Sequence, residues 1–115
     1  MSASKTIFQK IADREISTTF VYEDDLCFVI RDISPQAPTH LLVVPKAPVP
    51  RLTESTEADT ALLGHLLFTA GRIAREHGLD GGFRIVINNG KQAGETVPHL
   101  HLHLLAGREF GWPPG

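Results

Sequence analysis

The sequence predicts an α+β domain of five strands, one long helix and one short helix. Three observations support this fold class: short apolar runs bounded by proline, glycine or acidic turns, one long run with helical periodicity, and an amphipathic segment near the N-terminus. The chain has 115 residues, which is enough to bury the core of one domain. We therefore expect residues 1–115 to form a single domain.

The short helix is predicted over Thr6 to Glu15. Ile7, Phe8 and Ile11 recur there at helical spacing, and Ser4 precedes them as a suitable N-cap. Because the other positions are polar, we expect this helix to pack one apolar face on the rest of the domain.

Three strands are predicted next. Thr18 to Arg31 is rich in β-branched and aromatic residues, and the acidic run Glu23 to Asp25 interrupts it, which predicts two strands joined by a hairpin turn. His40 to Val44 lies between Pro38 and Pro45 and is apolar enough for a central strand.

The long helix is predicted over Thr56 to His77, with Gly78 ending it. Its buried face is formed by apolar residues at i, i+3, i+4 spacing, namely Leu62, Leu63, Leu66, Leu67, Ala70, Ile73 and Ala74. The opposite side carries Gly64, Phe68 and Gly71, although a glycine inside a helix costs about 1 kcal/mol relative to alanine. That side is therefore predicted to pack closely against a second subunit.

The last two strands are predicted over Phe83 to Asn88 and His99 to Leu105. The loop between them, Asn89 to Thr96, holds two glycines and small polar side chains, a composition from which a backbone anion site can be built. This loop matches neither the P-loop nor the dinucleotide-binding fingerprint.

Composition excludes several function classes. The formal net charge is −2 with Lys and Arg scattered, so we expect no nucleic-acid polymer as a partner. No apolar run approaches the roughly 20 residues that span a bilayer, so we expect no membrane partner. The single Cys27 cannot form an internal disulfide and is predicted to be a buried core thiol. A cytoplasmic location fits these features.

The segment His99 to Leu105 alternates histidine with leucine. In a strand, His99, His101 and His103 would share one face, and the leucines would face the core. Burying three imidazoles brings desolvation with little gain from packing, so a purely structural role explains this face poorly. Two other histidines, His65 and His77, fall in the long helix and are predicted to lie outside any site.

Two kinds of chemistry suit the histidine face. Two of its members plus His40 would suffice for a metal ion, although the Cα atoms of His99 and His103 would lie about 13 Å apart in an extended strand. Alternatively, a neutral imidazole can attack phosphorus and form a phosphohistidine-type intermediate. His101, with a histidine on each side, is the best placed nucleophile.

The sequence resembles a known family in three places. Residues 99–105 match the His-φ-His-φ-His-φ-φ motif (φ apolar) of the histidine triad (HIT) superfamily at all seven positions. Asp32 to His40, the Leu-Val-Val-Pro-Lys run that follows, and the ending Gly111 to Gly115 resemble the HINT branch, the histidine triad nucleotide-binding proteins. The likeness covers about residues 5 to 115.

The resemblance implies a HIT-like fold and a homodimer with a continuous sheet. It also implies a purine nucleoside phosphoramidase that needs no metal or other cofactor. Such an enzyme releases AMP from adenosine 5′-phosphoramidates or from aminoacyl or lysyl adenylates through a nucleotidyl-histidine intermediate. By this resemblance His101 is the nucleophile, His99 and His103 position it and bind phosphate, and His40 joins the proton relay.

The resemblance assigns nucleotide contacts as well. Asp32 would bind the ribose hydroxyls, since an ionised carboxylate accepts hydrogen bonds from both. The phosphate-side loop would be formed by Asn88, Gly94, Thr96 and Val97. The purine would lie between six apolar residues, Ile7, Phe8, Ile11, Ile30, Ile33 and Leu42. From the residues alone, ordinary core packing would be the favoured explanation for these six.

Four positions depart from the branch pattern. Thr96 stands where many members have serine, Ile30 where they have an aromatic residue, Arg31 where they have histidine, and Pro98 where an aromatic residue is common. The changes at positions 30 and 31 bear on base preference, and the proline implies an irregular entry to the last strand.

Two related enzyme classes fit the sequence less well, and one function of a different class stays open. The nucleotidyltransferase branch carries glutamine at the third triad position, where this chain has His103. A dinucleoside polyphosphate hydrolase would keep three histidines but is not expected to end in Trp-Pro-Pro-Gly. A nucleotide-binding regulator with incidental hydrolysis is the alternative from a different class.

Overall fold

The computed structural model describes residues 5–115, in which five strands form one antiparallel sheet. The strands and helices are α1 (Ile7–Ala12), β1 (Tyr22–Glu23), β2 (Cys27–Arg31), β3 (Thr39–Pro45), α2 (Thr60–Glu76), β4 (Phe83–Val86) and β5 (Leu102–Ala106). The strand order is β1-β2-β3-β5-β4, so β3 is central, as predicted. The predicted α+β class, with one long and one short helix, is confirmed.

The two helices cover opposite faces of the sheet. Because successive strand residues point to opposite sides, Leu41 and Val43 of β3 pack in the core beside α2, whereas Leu42 and Val44 pack in the core beside α1. Cys27 is fully buried on the α2 side, which confirms the predicted core thiol. His103 pairs opposite Leu42, so its side chain lies on the α1 side.

The short helix α1 is shorter than predicted and begins differently. Thr6 is its N-cap, and the Thr6 hydroxyl accepts a hydrogen bond from the Gln9 N–H at 3.1 Å. The predicted cap, Ser4, lies outside the described residues. Asp13 is the C-cap, and Arg14 has φ of +63°, so the backbone leaves the helix before the predicted end at Glu15.

The last strand also starts later than predicted. β5 begins at Leu102, so His99 and His101 lie in the irregular segment before it and only His103 belongs to the strand. Pro98 has no N–H to donate, and the His99 N–H bonds the Val97 carbonyl at 2.9 Å instead of a neighbouring strand. β4 likewise ends at Val86, two residues before the predicted end.

Helix α2 follows the prediction closely but differs at one position of its buried face. The 3-10 turn Glu57–Asp59 precedes it, and Gly78, with φ of +71°, follows it. Leu67 was predicted to be buried, yet it is 53% exposed. The reason is that Leu67 is one residue beyond Leu66, about 100° around the helix from the buried seam.

The outer side of α2 is apolar. Leu67 lies there beside Phe68, which is 65% exposed.

Within residues 5–115, no helix is long and apolar enough to cross a bilayer.

Candidate functional site

The triad histidines meet at the start of β5, next to α1. His101 contacts both α1 and the next triad histidine: its ring centroid is 4.9 Å from that of Phe8 and 5.0 Å from that of His103. His40, from the start of β3, brings its Nε2 to 2.9 Å from Nδ1 of His103. The four predicted catalytic histidines are therefore neighbours in space, although they come from three different backbone environments.

Hydrogen bonds fix the protonation of His101. Its Nδ1 lies 2.7 Å from the His99 carbonyl oxygen, which can only accept, so Nδ1 carries the proton. In the neutral ring, Nε2 then keeps its lone pair. His101 also lines a cavity, so its unprotonated nitrogen is accessible to a ligand bound there.

A second chain of hydrogen bonds fixes His40 and His103. The Gln36 N–H donates to Nδ1 of His40 at 3.0 Å, so a neutral His40 carries its proton on Nε2 and donates to Nδ1 of His103. A neutral His103 then carries its own proton on Nε2. His103 thus presents an Nε2–H donor on the same side of the sheet as the unprotonated nitrogen of His101.

Burial keeps the flanking histidines neutral. Desolvation, followed by the nearby charges of His101 and His40, lowers the pKa of His103 to about 4. Desolvation also lowers the pKa of His99, which is almost completely buried and donates through Nε2 to the Pro45 carbonyl at 2.7 Å. The Thr6 hydroxyl lies 3.4 Å from the other ring nitrogen of His99, which links the triad to the N-cap of α1.

A cavity of about 490 Å³ opens beside His101 and His103, within the usual size range of small-molecule sites. The cavity is lined by all six predicted purine contacts: Ile7, Phe8, Ile11, Ile30, Ile33 and Leu42. Asp32, Thr96 and Val97 also line it. The cavity therefore has an apolar body and, beside the histidines, a polar end.

The structure adds cavity residues that the sequence reasoning missed. Ile16, Ser17 and Thr18 line the cavity. Arg31, which the sequence already linked to base preference, lines it as well. Residues 16–18 follow α1 in an irregular segment, so no periodicity marked them. Conversely, two predicted loop contacts, Asn88 and Gly94, are not among the lining residues. A larger depression of about 900 Å³ lies beside the start of β4 and contains none of the histidines.

Asp32 retains capacity to accept hydrogen bonds. Its Oδ1 accepts from the Ser34 N–H at 2.8 Å, and its Oδ2 lies 3.4 Å from Nε2 of His40. A carboxylate has about four acceptor positions, so this group can also bind hydroxyl donors of a ligand in the cavity.

Two groups among residues 5–115 have side chains close enough to share a metal ion: Asp32, His40 and His103 on the α1 side, and Asp24, Cys27 and His65 on the α2 side. The first group does not fit a metal in this hydrogen-bonded state. Both Nε2 of His40 and Nδ1 of His103 would need a free lone pair to bind the ion, but Nε2 of His40 carries a proton. His40 would have to move its proton to Nδ1, where the Gln36 N–H already donates.

The second metal-like group is closed by its own hydrogen bonds. Tyr22 donates to Asp24 at 2.8 Å, and Nε2 of His65 lies 2.7 Å from the same carboxylate oxygen. Burial raises the pKa of the Cys27 thiol to about 11, so the ligand form of this side chain is disfavoured. His65 is thus a packed residue outside the cavity, as predicted, and the exposed His77 is the C-cap of α2.

Residues 13–110 match the family model of the HIT domain. The chain belongs to the HIT family. An uncharacterized HIT-like protein of Synechocystis is 56% identical over 113 residues, which cover 98% of this chain and 99% of the relative. A protein of Brassica juncea described as a 14 kDa zinc-binding protein is 49% identical over 112 residues, 96% of this chain and 99% of that one.

Solved structures agree with the family assignment. A HIT family hydrolase of Legionella pneumophila superimposes with a TM-score of 0.93 at 44% identity, over 96% of this chain and all of that one. A histidine triad nucleotide-binding protein of Candida albicans superimposes with a TM-score of 0.80 at 27% identity, over 96% of this chain and 85% of that one. This HIT protein therefore has the fold of HIT family hydrolases.

Proposed function

We propose that this HIT protein is a single-domain member of the HINT branch that acts as a purine nucleoside phosphoramidase. It would release AMP from adenosine 5′-phosphoramidates or aminoacyl or lysyl adenylates, with no metal. The observation that supports this most directly is the pairing of an Nε2 lone pair on His101 with an Nε2–H donor on His103 at the polar end of an apolar cavity.

In the first step, Nε2 of His101 attacks the α-phosphorus and forms an N–P bond. In a phosphoramidate, the bond from phosphorus to the amine breaks, and its electron pair goes to the amine nitrogen, which takes up a proton from solvent. In an aminoacyl or lysyl adenylate, the phosphorus–oxygen bond to the acyl group breaks instead, and its electron pair goes to the leaving carboxylate. The His101 ring becomes positively charged, and its Nδ1–H stays bonded to the His99 carbonyl. Donors aimed at the phosphate oxygens would stabilise the transition state, and His103 is placed to supply one.

In the second step, water attacks the same phosphorus and the N–P bond breaks. The electron pair returns to Nε2 of His101, and AMP and a proton leave. Two in-line displacements at one phosphorus give net retention of its configuration.

The cavity would hold the nucleoside. The purine would lie between the apolar side chains of α1 and the sheet, and Asp32 would accept hydrogen bonds from the ribose hydroxyls. Phosphate contacts would come from the loop of residues 88–97, with Thr96 and Val97 nearest the histidines. Arg31 and Ile30 at the nucleoside end would set the preference between purine bases.

The test is turnover of a fluorogenic adenosine phosphoramidate by purified protein. His101→Ala should lower kcat by at least about 1,000-fold, because the nucleophile is removed. His77→Ala is the matched control, since His77 is exposed at the end of α2 and should leave kcat unchanged. Wild-type enzyme quenched in alkaline denaturant, which preserves the acid-labile N–P bond, should carry one adenylyl group on His101, by mass spectrometry. Full turnover by His101→Ala would exclude this mechanism.

The same assay separates the alternatives. A regulator that only binds nucleotide would bind AMP in calorimetry without turning over the phosphoramidate. A dinucleoside polyphosphate hydrolase would prefer diadenosine substrates. Loss of turnover in EDTA, restored by zinc, would instead support a metal at Asp32, His40 and His103, which bears on the zinc-binding description of the Brassica relative.

We also propose that the protein is a homodimer. The outer side of α2 exposes Leu67 and Phe68, and a Cβ added at Gly64 or Gly71 would meet nothing within 4 Å in its own chain. A second copy would cover this apolar surface. A continuous sheet across two copies would further require pairing along β4, which is an edge strand.

Light scattering after size exclusion tests the dimer. Phe68→Glu should shift the mass from dimer to monomer, because it would bury an unpaired charge in the interface. Leu26→Glu is the control, since Leu26 is likewise apolar and exposed but belongs to the turn between β1 and β2 and not to α2. A wild-type monomer at micromolar concentration would contradict the proposal.

A further inference from the structure

Glu95 closes the loop that precedes the triad. Its Oε1 accepts a hydrogen bond from the Gly90 N–H at 2.8 Å, and its own N–H donates to the Gly90 carbonyl at 3.1 Å. The Glu95 side chain is only 9% exposed. Residues 90–95 are therefore held as a closed turn by both the backbone and one carboxylate.

Arg51 holds the same carboxylate from outside the loop. Its Nε donates to Oε1 of Glu95 at 2.9 Å, and its Nη2 donates to Oε2 at 2.8 Å. Such a two-point contact fixes orientation as well as distance. Arg51 directly precedes the 3-10 turn Leu52–Glu54, and within that turn the Thr53 N–H donates to the Asn89 side chain at 3.0 Å. The loop is thus fastened to this turn at two points.

The loop needs such fastening because its backbone is unusually free. Gly90 and Gly94 have φ of +89° and +86°, and glycine loses more conformational entropy on ordering than other residues. The next two residues, Thr96 and Val97, line the cavity with His101. A shift of the closed turn would therefore move the groups that face the proposed phosphate position.

We propose that Glu95, clamped by Arg51, is a positioning residue that sets the phosphate-side loop for the reaction of His101. The proposal rests on the proposed phosphoramidase function. Glu95 faces Arg51 and Gly90 and is not among the cavity-lining residues, so it would act through Thr96 and the loop backbone. The expected consequence is a loss in kcat with little change in the binding of the nucleoside, whose apolar contacts lie on α1 and the sheet.

Two substitutions separate the parts of this contact. Glu95→Ala removes both the acceptor for the Gly90 N–H and the partner of Arg51. Glu95→Gln keeps an oxygen acceptor for Gly90 but replaces the ion pair with a neutral contact. Glu23→Gln is the matched control, because Glu23 also pairs with two basic side chains, Arg14 and Lys46, but lies on β1 outside the cavity.

The kinetic experiment measures kcat and KM for the fluorogenic phosphoramidate. We expect Glu95→Ala to lower kcat about 10- to 100-fold, as misplacing a catalytic group by about 1 Å does, with KM changed less than about 3-fold. Glu95→Gln should lower kcat less, and Glu23→Gln should match wild type. Hydrogen exchange should show faster exchange of the amides of residues 90–96 in Glu95→Ala alone.

The outcomes distinguish this proposal from the proposed function. Wild-type kcat in Glu95→Ala despite faster loop exchange would overturn the positioning role, and unchanged exchange would overturn the clamp itself. If the wild-type protein does not turn over the substrate, the proposed function fails, and the clamp is then judged by ligand affinity. Calorimetry should in that case show that Glu95→Ala weakens the binding of AMP more than the binding of adenosine. Equal weakening of the two affinities would reject the clamp.

Discussion

Two clusters of aspartate and histidine lie on opposite faces of the sheet and use the same side chains in different surroundings. On the α2 face, Asp24 contacts His65 at 2.7 Å. On the α1 face, Asp32 lies 3.4 Å from His40, which in turn bonds His103. By side-chain type and distance alone, the two clusters could be mistaken for each other.

Their hydrogen bonds separate them. Burial tends to raise the pKa of Asp24, but the N–H groups of Leu26 and Cys27, the Tyr22 hydroxyl and His65 outweigh it and hold that pKa well below its usual range. All four acceptor positions of Asp24 are thus used within the protein.

Asp32 keeps acceptor capacity and faces a cavity. The difference indicates that the closed cluster, in which every acceptor position of Asp24 is used, stabilises the fold. The open cluster, in which Asp32 keeps acceptor positions beside the cavity, can bind a ligand.

The largest effect should come from replacing the aspartate of each cluster, Asp24 or Asp32, by asparagine. Asp24→Asn should lower the free energy of unfolding by about 3 kcal/mol, because four donors lose an ionised acceptor, and should leave kcat unchanged. Asp32→Asn should cost less than about 1 kcal/mol of stability but weaken nucleoside binding about 10-fold. Urea unfolding and AMP calorimetry measure the two effects. Equal stability losses in the two variants would remove the distinction between the clusters.

A smaller effect should be seen in the pH dependence of stability, because the histidines and the aspartate lose their contributions in different pH ranges. The folded-state pKa of His103 is lowered to about 4, so between pH 6.5 and 4 the unfolded chain binds a proton that the folded chain does not. The full difference between the two pKa values corresponds to about 3 kcal/mol. Because His103 is only partly buried, solvent screening reduces this, and stability should fall by about 1 to 2 kcal/mol as the pH drops through that window. The pKa of Asp24 is lowered in the folded chain, so the stability that its ionised form contributes is lost only as the pH falls below 3.8, the ordinary pKa of an aspartate.

Urea unfolding at pH 7, 5.5, 4 and 3 tests these windows. His103→Gln should reduce the loss between pH 6.5 and 4, whereas Asp24→Asn should retain that loss and reduce the one below pH 4. The assignment of the windows would be wrong if Asp24→Asn reduced the loss above pH 4.

The smallest effect should be seen at Cys27, in the closed cluster. The thiol is buried, its pKa is raised to about 11, and its Sγ lies 4.0 Å from the Thr69 hydroxyl. Native protein should react with a thiol reagent at pH 8 far more slowly than protein in urea, because the thiolate is scarce and shielded. Cys27→Ala should cost about 1 kcal/mol. Rapid labelling of the native protein would show that the α2 face opens.

Local patterns predicted much of the fold. The helical period predicted over residues 56–77 and the glycine after it marked α2, although the helix begins four residues later, at Thr60. Pro38 and Pro45 marked the limits of β3. The prediction failed at Leu67 and at the start of β5, because the buried seam of α2 and the pairing of β5 depend on neighbouring elements. The alternation of histidine and leucine nevertheless placed the leucines in the core, where Leu100, Leu102 and Leu104 are buried.

The sequence by itself determined which residues are the candidates for chemistry: His99, His101 and His103 alternate with leucines, and this spacing is visible without knowledge of the rest of the chain. The tertiary structure decided what each histidine can do. The Gln36 N–H and the His99 carbonyl assign the protons, and α1 closes the cavity over His101. The His40–His103 hydrogen bond and the contact of Phe8 with His101 join residues distant in sequence. The Gln36 and His99 partners are local, but they and the burial that controls imidazole protonation exist only after the chain has folded.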